Sequence, residues 1–341
     1  MIALDQKEEK KTLSLGFIGI GWIGRNRMEV LLNGGQVKAD VISEPFEQNA
    51  IEALKLAPHA QVIDNPVDAY ANPELDGVVI ATPSALHASQ SLNALSSGKA
   101  VFCQKPLGRT ANEVRQVVKA SQKSDKLLAV DLSYRYTRAF QAVKETIQNG
   151  EIGRVYAVNL VFHNAYGPDK DWFYDMSLSG GGCVMDLGIH LVDMALCCLE
   201  FPEIEAIRSH LFSKGVKLVP GEERVEDYAK VSMLTEQNTA INLDCSWHVS
   251  AGRDAEIEAT FFGTDGGVSF KNVNGSFYDF KAEKYHGTQT EELVSPPDDW
   301  SGRAGLVWAK NLLKGVGYDA ISATELVKTA EVIDRIYGRQ S

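Results

Sequence analysis

Asp186 and His190 stand four residues apart in the stretch 180–193, GGGCVMDLGIHLVD, whose apolar residues read as a helix. At that spacing both side chains leave one helix face. A carboxylate one turn from an imidazole can fix its tautomer and raise its basicity, which makes His190 a candidate general base oriented by Asp186. Lys105 directly follows the apolar run 100–103. A partly desolvated lysine there can donate to a reacting oxygen, although the spacing alone favours a solvated loop lysine. Three glycines, 180–182, lead into the helix, and bare backbone lets a flat ligand lie close.

These residues need a scaffold. The apolar run 13–20 reads as a buried strand and leads into Gly19-Ile20-Gly21-Trp22-Ile23-Gly24, a GxGxxG at a strand-to-helix turn. In that pattern the first glycine allows the turn, the second admits a pyrophosphate and the third lets helix and strand pack. The helix N-terminus, with Trp22 and Ile23, offers N–H groups to the phosphates. A second strand, 37–43, ends at Glu44, placed to accept the ribose hydroxyls of an adenosine half and to repel a 2′-phosphate. The expected cofactor is therefore NAD rather than NADP. The flat ligand facing the 180–193 helix is then a nicotinamide ring, with a substrate hydroxyl between them.

The alternation continues. Strand 77–81 ends in Thr82-Pro83-Ser84, at the carboxyl edge where open α/β sheets bind ligands. His87 in the next helix reads equally as a cofactor-lining ring or as a histidine on a surface helix. Strand 100–103 ends in Gln104-Lys105-Pro106, Thr110 and Glu113 make a capping box for a helix to about Ser124, and 127–131 is the last strand of this half.

Beyond it, Arg135 reads equally as structural or as ligand-binding. Strand 154–163 precedes an irregular segment, 164–179, carrying Tyr166, Asp169, Asp171, Trp172, Phe173 and Tyr174. Aromatic faces beside carboxylates suit a sugar, and Tyr166 and Trp172 are the expected substrate contacts. Asp186, His190 and Asp193 also have metal-ligand chemistry, but no further ligands cluster with them and no metal is expected. Asp193 reads as a structural bridge. From 206 onward several alternating segments form a mostly antiparallel meander, and two helices, 304–314 and 324–337, close the chain. An apolar outer sheet face is expected, buried in a homodimer or homotetramer.

The bulk composition agrees with a small-molecule enzyme. The net charge of −11 disfavours nucleic acid or an anionic membrane as partner. Five cysteines without framework spacing suit reduced thiols and a cytoplasmic location. The first twelve residues read as a frayed end, and no apolar run approaches membrane-spanning length.

Four motifs in order, the GxGxxG of 19–24, A-T-P-x-x-x-H over 81–87, Lys105-Pro106, and GGGxxxDxGxH over 180–190, resemble the glucose–fructose oxidoreductase and inositol dehydrogenase (Gfo/Idh/MocA) family. The resemblance implies a Rossmann domain at 13–135 and a C-terminal α/β domain at 136–341, built on a large, mostly antiparallel open sheet. It implies NAD-dependent hydride transfer on a sugar, cyclitol or related polyol, with Lys105, Asp186 and His190 matching the catalytic lysine, aspartate and histidine. It equally admits relatives that retain NAD through an internal redox cycle, and relatives that only sense ligands. One departure is Gln104, where the family usually has glutamate. Losing that anion should disfavour the Lys105 ammonium and make it a better proton donor.

Overall fold

The computed structural model describes residues 12–219 and 221–339; the expected frayed end, but for Thr12, lies outside the described residues. The first half alternates β1 (Leu13–Ile18), α1 (Trp22–Asn33), β2 (Val37–Ser43), α2 (Glu47–Leu56), β3 (Gln61–Ile63), α3 (Pro66–Ala71), β4 (Gly77–Ile80), α4 (Ser84–Ser96), β5 (Ala100–Cys103), α5 (Ala111–Ser124) and β6 (Leu128–Val130). The sheet is parallel in the order β3-β2-β1-β4-β5-β6. This is the Rossmann arrangement. Its strands β1, β4 and β5 are buried along their whole length, as a parallel sheet covered on both faces requires. The order reverses between β1 and β4, so the glycine turn and Thr82 flank the crevice where such sheets bind ligands.

A 3₁₀ turn at Ser133–Tyr136 and α6 (Arg138–Gln148) lead to β7 (Val155–Asn164). The segment after β7 carries α7 (Met176–Ser179) and then a π-helical turn, Val184–Gly188, continuous with α8 (Ile189–Cys198). Strands β8 (Ile204–Ser213), β9 (Val216–Lys217), β10 (Tyr228–Thr235), β11 (Ala240–Ser246), β12 (Ala255–Gly263), β13 (Gly267–Asn272), β14 (Phe280–His286) and β15 (Gln289–Val294) follow, then α9 (Arg303–Leu313) and α10 (Ala320–Ile336). With β7 they form one nine-stranded sheet, β15-β14-β13-β12-β7-β11-β10-β8-β9. It is antiparallel except for β7 against β11.

Three features depart from the sequence reading. The helical run Met176–Cys198 is long and apolar enough to cross a membrane, but 89% of its apolar window is buried, because α8 is the central helix of the second core. Helix α9 packs back onto the first domain: Trp308 lies 5.7 Å from the Phe102 ring, and Ala304 and Ala309 join that core. The outer sheet face is not an apolar patch. Alternation and register place Lys230 against Asp244, and Lys271 and Lys281 around Glu283. Those two lysines hold the Glu283 carboxyl down at about 2 despite its partial burial.

Candidate active site

The glycine turn is built as a phosphate cradle. Gly19 has φ +80°, and a Cβ there would meet the Ala81 carbonyl at 2.7 Å. A Cβ on Gly24 would lie 2.2 Å from the Gly19 oxygen, so only glycine lets α1 approach β1. A Cβ on Gly21 would meet nothing within 4 Å, which leaves open space before the helix. Helix α1 has no side-chain cap and no acidic residue in its first turn, so its free N–H groups can receive an anion. Trp22 stands 67% exposed beside that opening. Glu44 is buried at the end of β2, where its Oε2 accepts from Ile20 N at 2.6 Å and its Oε1 from Phe46 N at 3.0 Å. The carboxylate thus shapes the turn itself, which the sequence did not reveal. These residues fit a dinucleotide.

Lys105 follows β5 at the same sheet edge. Its Nζ donates to Asp186 Oδ1 at 2.6 Å and to the Asp186 carbonyl oxygen at 2.8 Å. The second carboxylate oxygen of Asp186 accepts from Trp247 Nε1 at 3.1 Å. The expected Asp186–His190 bond is therefore not made: both carboxylate oxygens are held by residues outside the helix. His190 packs edge-on to Tyr134, ring centroids 4.9 Å apart, and neither ring nitrogen has a hydrogen-bond partner among the described residues. Burial, reinforced by the Lys105 and Arg27 charges, holds its pKa well below the ordinary histidine value. Its surroundings thus favour the neutral imidazole, whose unprotonated nitrogen makes no bond among the described residues and can accept a proton.

The glycine run does not face a flat ligand. A Cβ on Gly180 would meet the Arg109 side chain at 2.6 Å, on Gly181 the Tyr337 hydroxyl at 2.1 Å, and on Gly182 the Glu226 carbonyl at 1.8 Å. Protein atoms occupy all three places, so these glycines serve close packing.

The remaining candidates are distributed around this centre. Thr82 Oγ1 donates to Gln90, and Pro83 opens α4 beside the cradle. His87 is buried, with Nδ1 2.6 Å from the Pro106 oxygen and Nε2 2.6 Å from the Thr82 oxygen; burial lowers its pKa despite both carbonyls. It ties two edge loops together. Gln104 is not remote from negative charge. Its Nε2 donates to Asp131 Oδ2 at 2.6 Å, and Arg27 Nε reaches the same oxygen at 2.5 Å. Gln104 thus joins a buried carboxylate just beyond β6 that is already paired with a guanidinium. Arg135 holds Asp193 with two bonds of 2.6 Å, so both are structural.

Trp172 stacks on Phe173 at 3.8 Å, and Phe173 and Tyr174 each pack edge-on to Trp247. The aromatic segment therefore reaches Asp186 through Trp247, a residue that sequence reasoning left as an ordinary strand position. Tyr166 lies farther out, its hydroxyl bonded to Asp254 at 2.5 Å. Among the described residues no group of three or more His, Cys, Asp or Glu could hold a metal.

Residues 13–132 match a family model described as an oxidoreductase family with an NAD-binding Rossmann fold, and residues 140–269 match the GFO/IDH/MocA C-terminal domain. The chain is 31% identical over 157 residues to D-glucoside 3-dehydrogenase of Escherichia coli (strain K12), covering 46% of this chain and 45% of that protein. It is 25% identical to inositol 2-dehydrogenase of Rhodococcus jostii (strain RHA1), covering 86% and 87%. A levoglucosan dehydrogenase solved with NADH and levoglucosan shares the fold, with TM-score 0.81 at 21% identity over 96% of each chain.

Proposed function

The chain belongs to the Gfo/Idh/MocA family of NAD-binding oxidoreductases, and from that premise we propose that it transfers hydride between NAD and a hydroxyl carbon of a sugar, cyclitol or related polyol. The observation that carries this reading is Lys105, held at 2.6 and 2.8 Å by Asp186 on the same helical run as a neutral, unpartnered His190. An ammonium has three N–H groups; two are spent on Asp186, and the third is left for a substrate oxygen. In oxidation His190 takes the hydroxyl proton and Lys105 stabilises the charge developing on that oxygen. NAD, when bound, supplies the hydride acceptor. Gly19, Gly21, Gly24, Glu44 and the start of α1 would hold it, with the edge residues Thr82, Pro83 and Gln104 beside them. Trp172 and Tyr166 would contact the polyol, whose C–H faces suit aromatic rings. The D-glucoside and inositol dehydrogenases named above support this substrate class.

Five free thiols support a reducing, cytoplasmic setting. A second copy seated on the open face of the nine-stranded sheet completes the reading. That face is ion-paired, so such an interface would be polar, and a monomer by light scattering at micromolar concentration would overturn it.

The test is NADH absorbance with a panel of glycosides, inositols and anhydrosugars, NAD and NADP in parallel, and Lys105→Ala as control. An NAD-dependent signal that is lost in the variant is expected. Silence across the panel despite NAD binding would overturn the dehydrogenase reading in favour of an internal redox cycle or a sensor.

A further inference from the structure

We propose that Glu226 and Tyr337 are positioning residues: together they satisfy all four N–H groups that open the helix carrying Asp186, and so fix the point from which Asp186 holds Lys105. The inference rests on the function proposed above. A helix leaves its first four N–H groups without intrahelical partners. Here they belong to Gly182, Cys183, Val184 and Met185, and the first intrahelical bond runs from Asp186 N to the Gly182 oxygen at 3.0 Å. Gly182 N donates to both Glu226 carboxylate oxygens, at 3.1 and 3.0 Å, and Val184 N to Oε1 at 2.9 Å. Cys183 N donates to the Glu226 carbonyl at 3.0 Å. Met185 N donates to the Tyr337 hydroxyl at 3.1 Å, and that hydroxyl donates in turn to Glu226 Oε1 at 2.7 Å.

Glu226 is fully buried, so water does not share this work. Burial pushes its carboxyl up, while the Val184 and Gly182 N–H groups, the Tyr337 hydroxyl and the positive end of the helix favour the carboxylate. The glycines complete the device. A Cβ on Gly182 would strike the Glu226 carbonyl and one on Gly181 the Tyr337 hydroxyl, so the cap forms only because both side chains are absent. Tyr337 arrives from just beyond α10 and is braced by Arg339, whose guanidinium lies 4.4 Å from the ring centroid and donates to the Gly180 and Arg109 carbonyls. The turn that follows α10 thereby closes on the turn that carries Asp186. A slack cap would let Asp186 swing, and small misplacements of reacting groups cost large factors in rate.

The experiment uses full-length Tyr337→Phe and Glu226→Gln. The first keeps the ring and its Arg339 contact; the second keeps the shape but removes one acceptor and the charge. With a polyol that turns over, kcat is expected to fall about tenfold or more, with KM for polyol and NAD changed by less than about threefold. Amide exchange at 182–185 should quicken by about tenfold or more, while the strands of both sheets keep their protection. Unchanged kcat in folded variants, a loss that only tracks the folded fraction, or unchanged exchange at 182–185 would overturn the assignment. The exchange measurement needs no substrate. A wild-type protein that makes no NADH therefore counts against the dehydrogenase reading, and the cap is still decided on its own.

Discussion

Lys105 Nζ is bound twice by one residue, Asp186, at its carboxylate and at its own backbone carbonyl. The aspartate therefore serves the lysine and not the histidine, and the two should behave as one unit. Removing the lysine with Lys105→Ala should lower kcat by about 10²–10³-fold, the usual loss for one oxyanion-stabilising donor. Asp186→Asn should cost about 10–10²-fold, and the double variant should be no worse than Lys105→Ala alone. Steady-state kinetics on the four proteins of this cycle decide the matter; losses that multiply would mean that Asp186 acts independently of Lys105.

Trp247 contributes one N–H to this unit and is itself wrapped by Phe173 and Tyr174. Trp247→Phe keeps the apolar contact and deletes only the donor. Hydrogen bonds to charged groups are worth about 1.5–3 kcal/mol. Asp186 keeps its lysine, so we expect about tenfold lower kcat, with a melting temperature lower by no more than a few degrees. A variant with wild-type kcat would show that Asp186 needs no help from this side.

Most of the first domain could be read from the chain, and the reasons are local. Gly19 and Gly24 impose a backbone that few other sequences allow. The boundaries of β2 follow from its apolar pattern, and Thr110 does cap α5, accepting from Glu113 N. The candidate trio Lys105, Asp186 and His190 stood out by motif, but its wiring did not. Four-residue spacing says that Asp186 and His190 share a face, yet it carries no knowledge of Trp247, 61 residues away, which competes for the carboxylate. Gly180 to Gly182 read as room for a ligand because the residues that fill that room, Arg109, Glu226 and Tyr337, come from distant parts of the chain. The Gln104–Asp131 bond was hidden for the same reason: the two are neighbours only once β5 and β6 pair.

The low pKa of His190 has two consequences. The imidazole is neutral well below pH 6.5, so kcat/KM for oxidation should show no acid limb from this base near neutrality. For stability, the unfolded chain takes up its proton as pH falls through about 6.5, while the native chain resists until its own lower pKa. The native state thus binds fewer protons in that window, and stability should be full above about pH 6.5 and fall as pH drops below it. Buried His87 and half-buried His163, both also lowered by burial, act in the same direction. Urea midpoints between pH 8 and 5 should trace this decline, and His190→Asn should make it shallower. A variant with the wild-type slope would mean that His190 is not held neutral.

Arg135 holds Asp193, whose side chain is 1% exposed, and also reaches Glu325 on α10 at 2.6 Å. Breaking a buried pair from one side leaves an uncompensated charge and typically costs about 3–5 kcal/mol. Arg135→Ala should lose stability on that scale, whereas Arg135→Ala with Asp193→Asn should recover part of it. Equal denaturation midpoints for the single and double variants would show that the pair is not the source of the loss.

Glu44 does two jobs if it also receives the ribose. Its carboxylate already fixes the glycine turn through Ile20 N at 2.6 Å and bonds Phe46 N at 3.0 Å. Removing it should therefore damage the cradle as well as the adenosine end. We expect Glu44→Ala to weaken NAD binding by about tenfold or more, in line with the loss of hydrogen bonds to a charged acceptor. It should not bring NADP to the affinity of wild-type protein for NAD, because the phosphates meet a loosened turn whichever ribose is present. Titration calorimetry with both nucleotides measures this directly. Tight NADP binding by Glu44→Ala would mean that the carboxylate only discriminates at the ribose and contributes nothing to the shape of the loop.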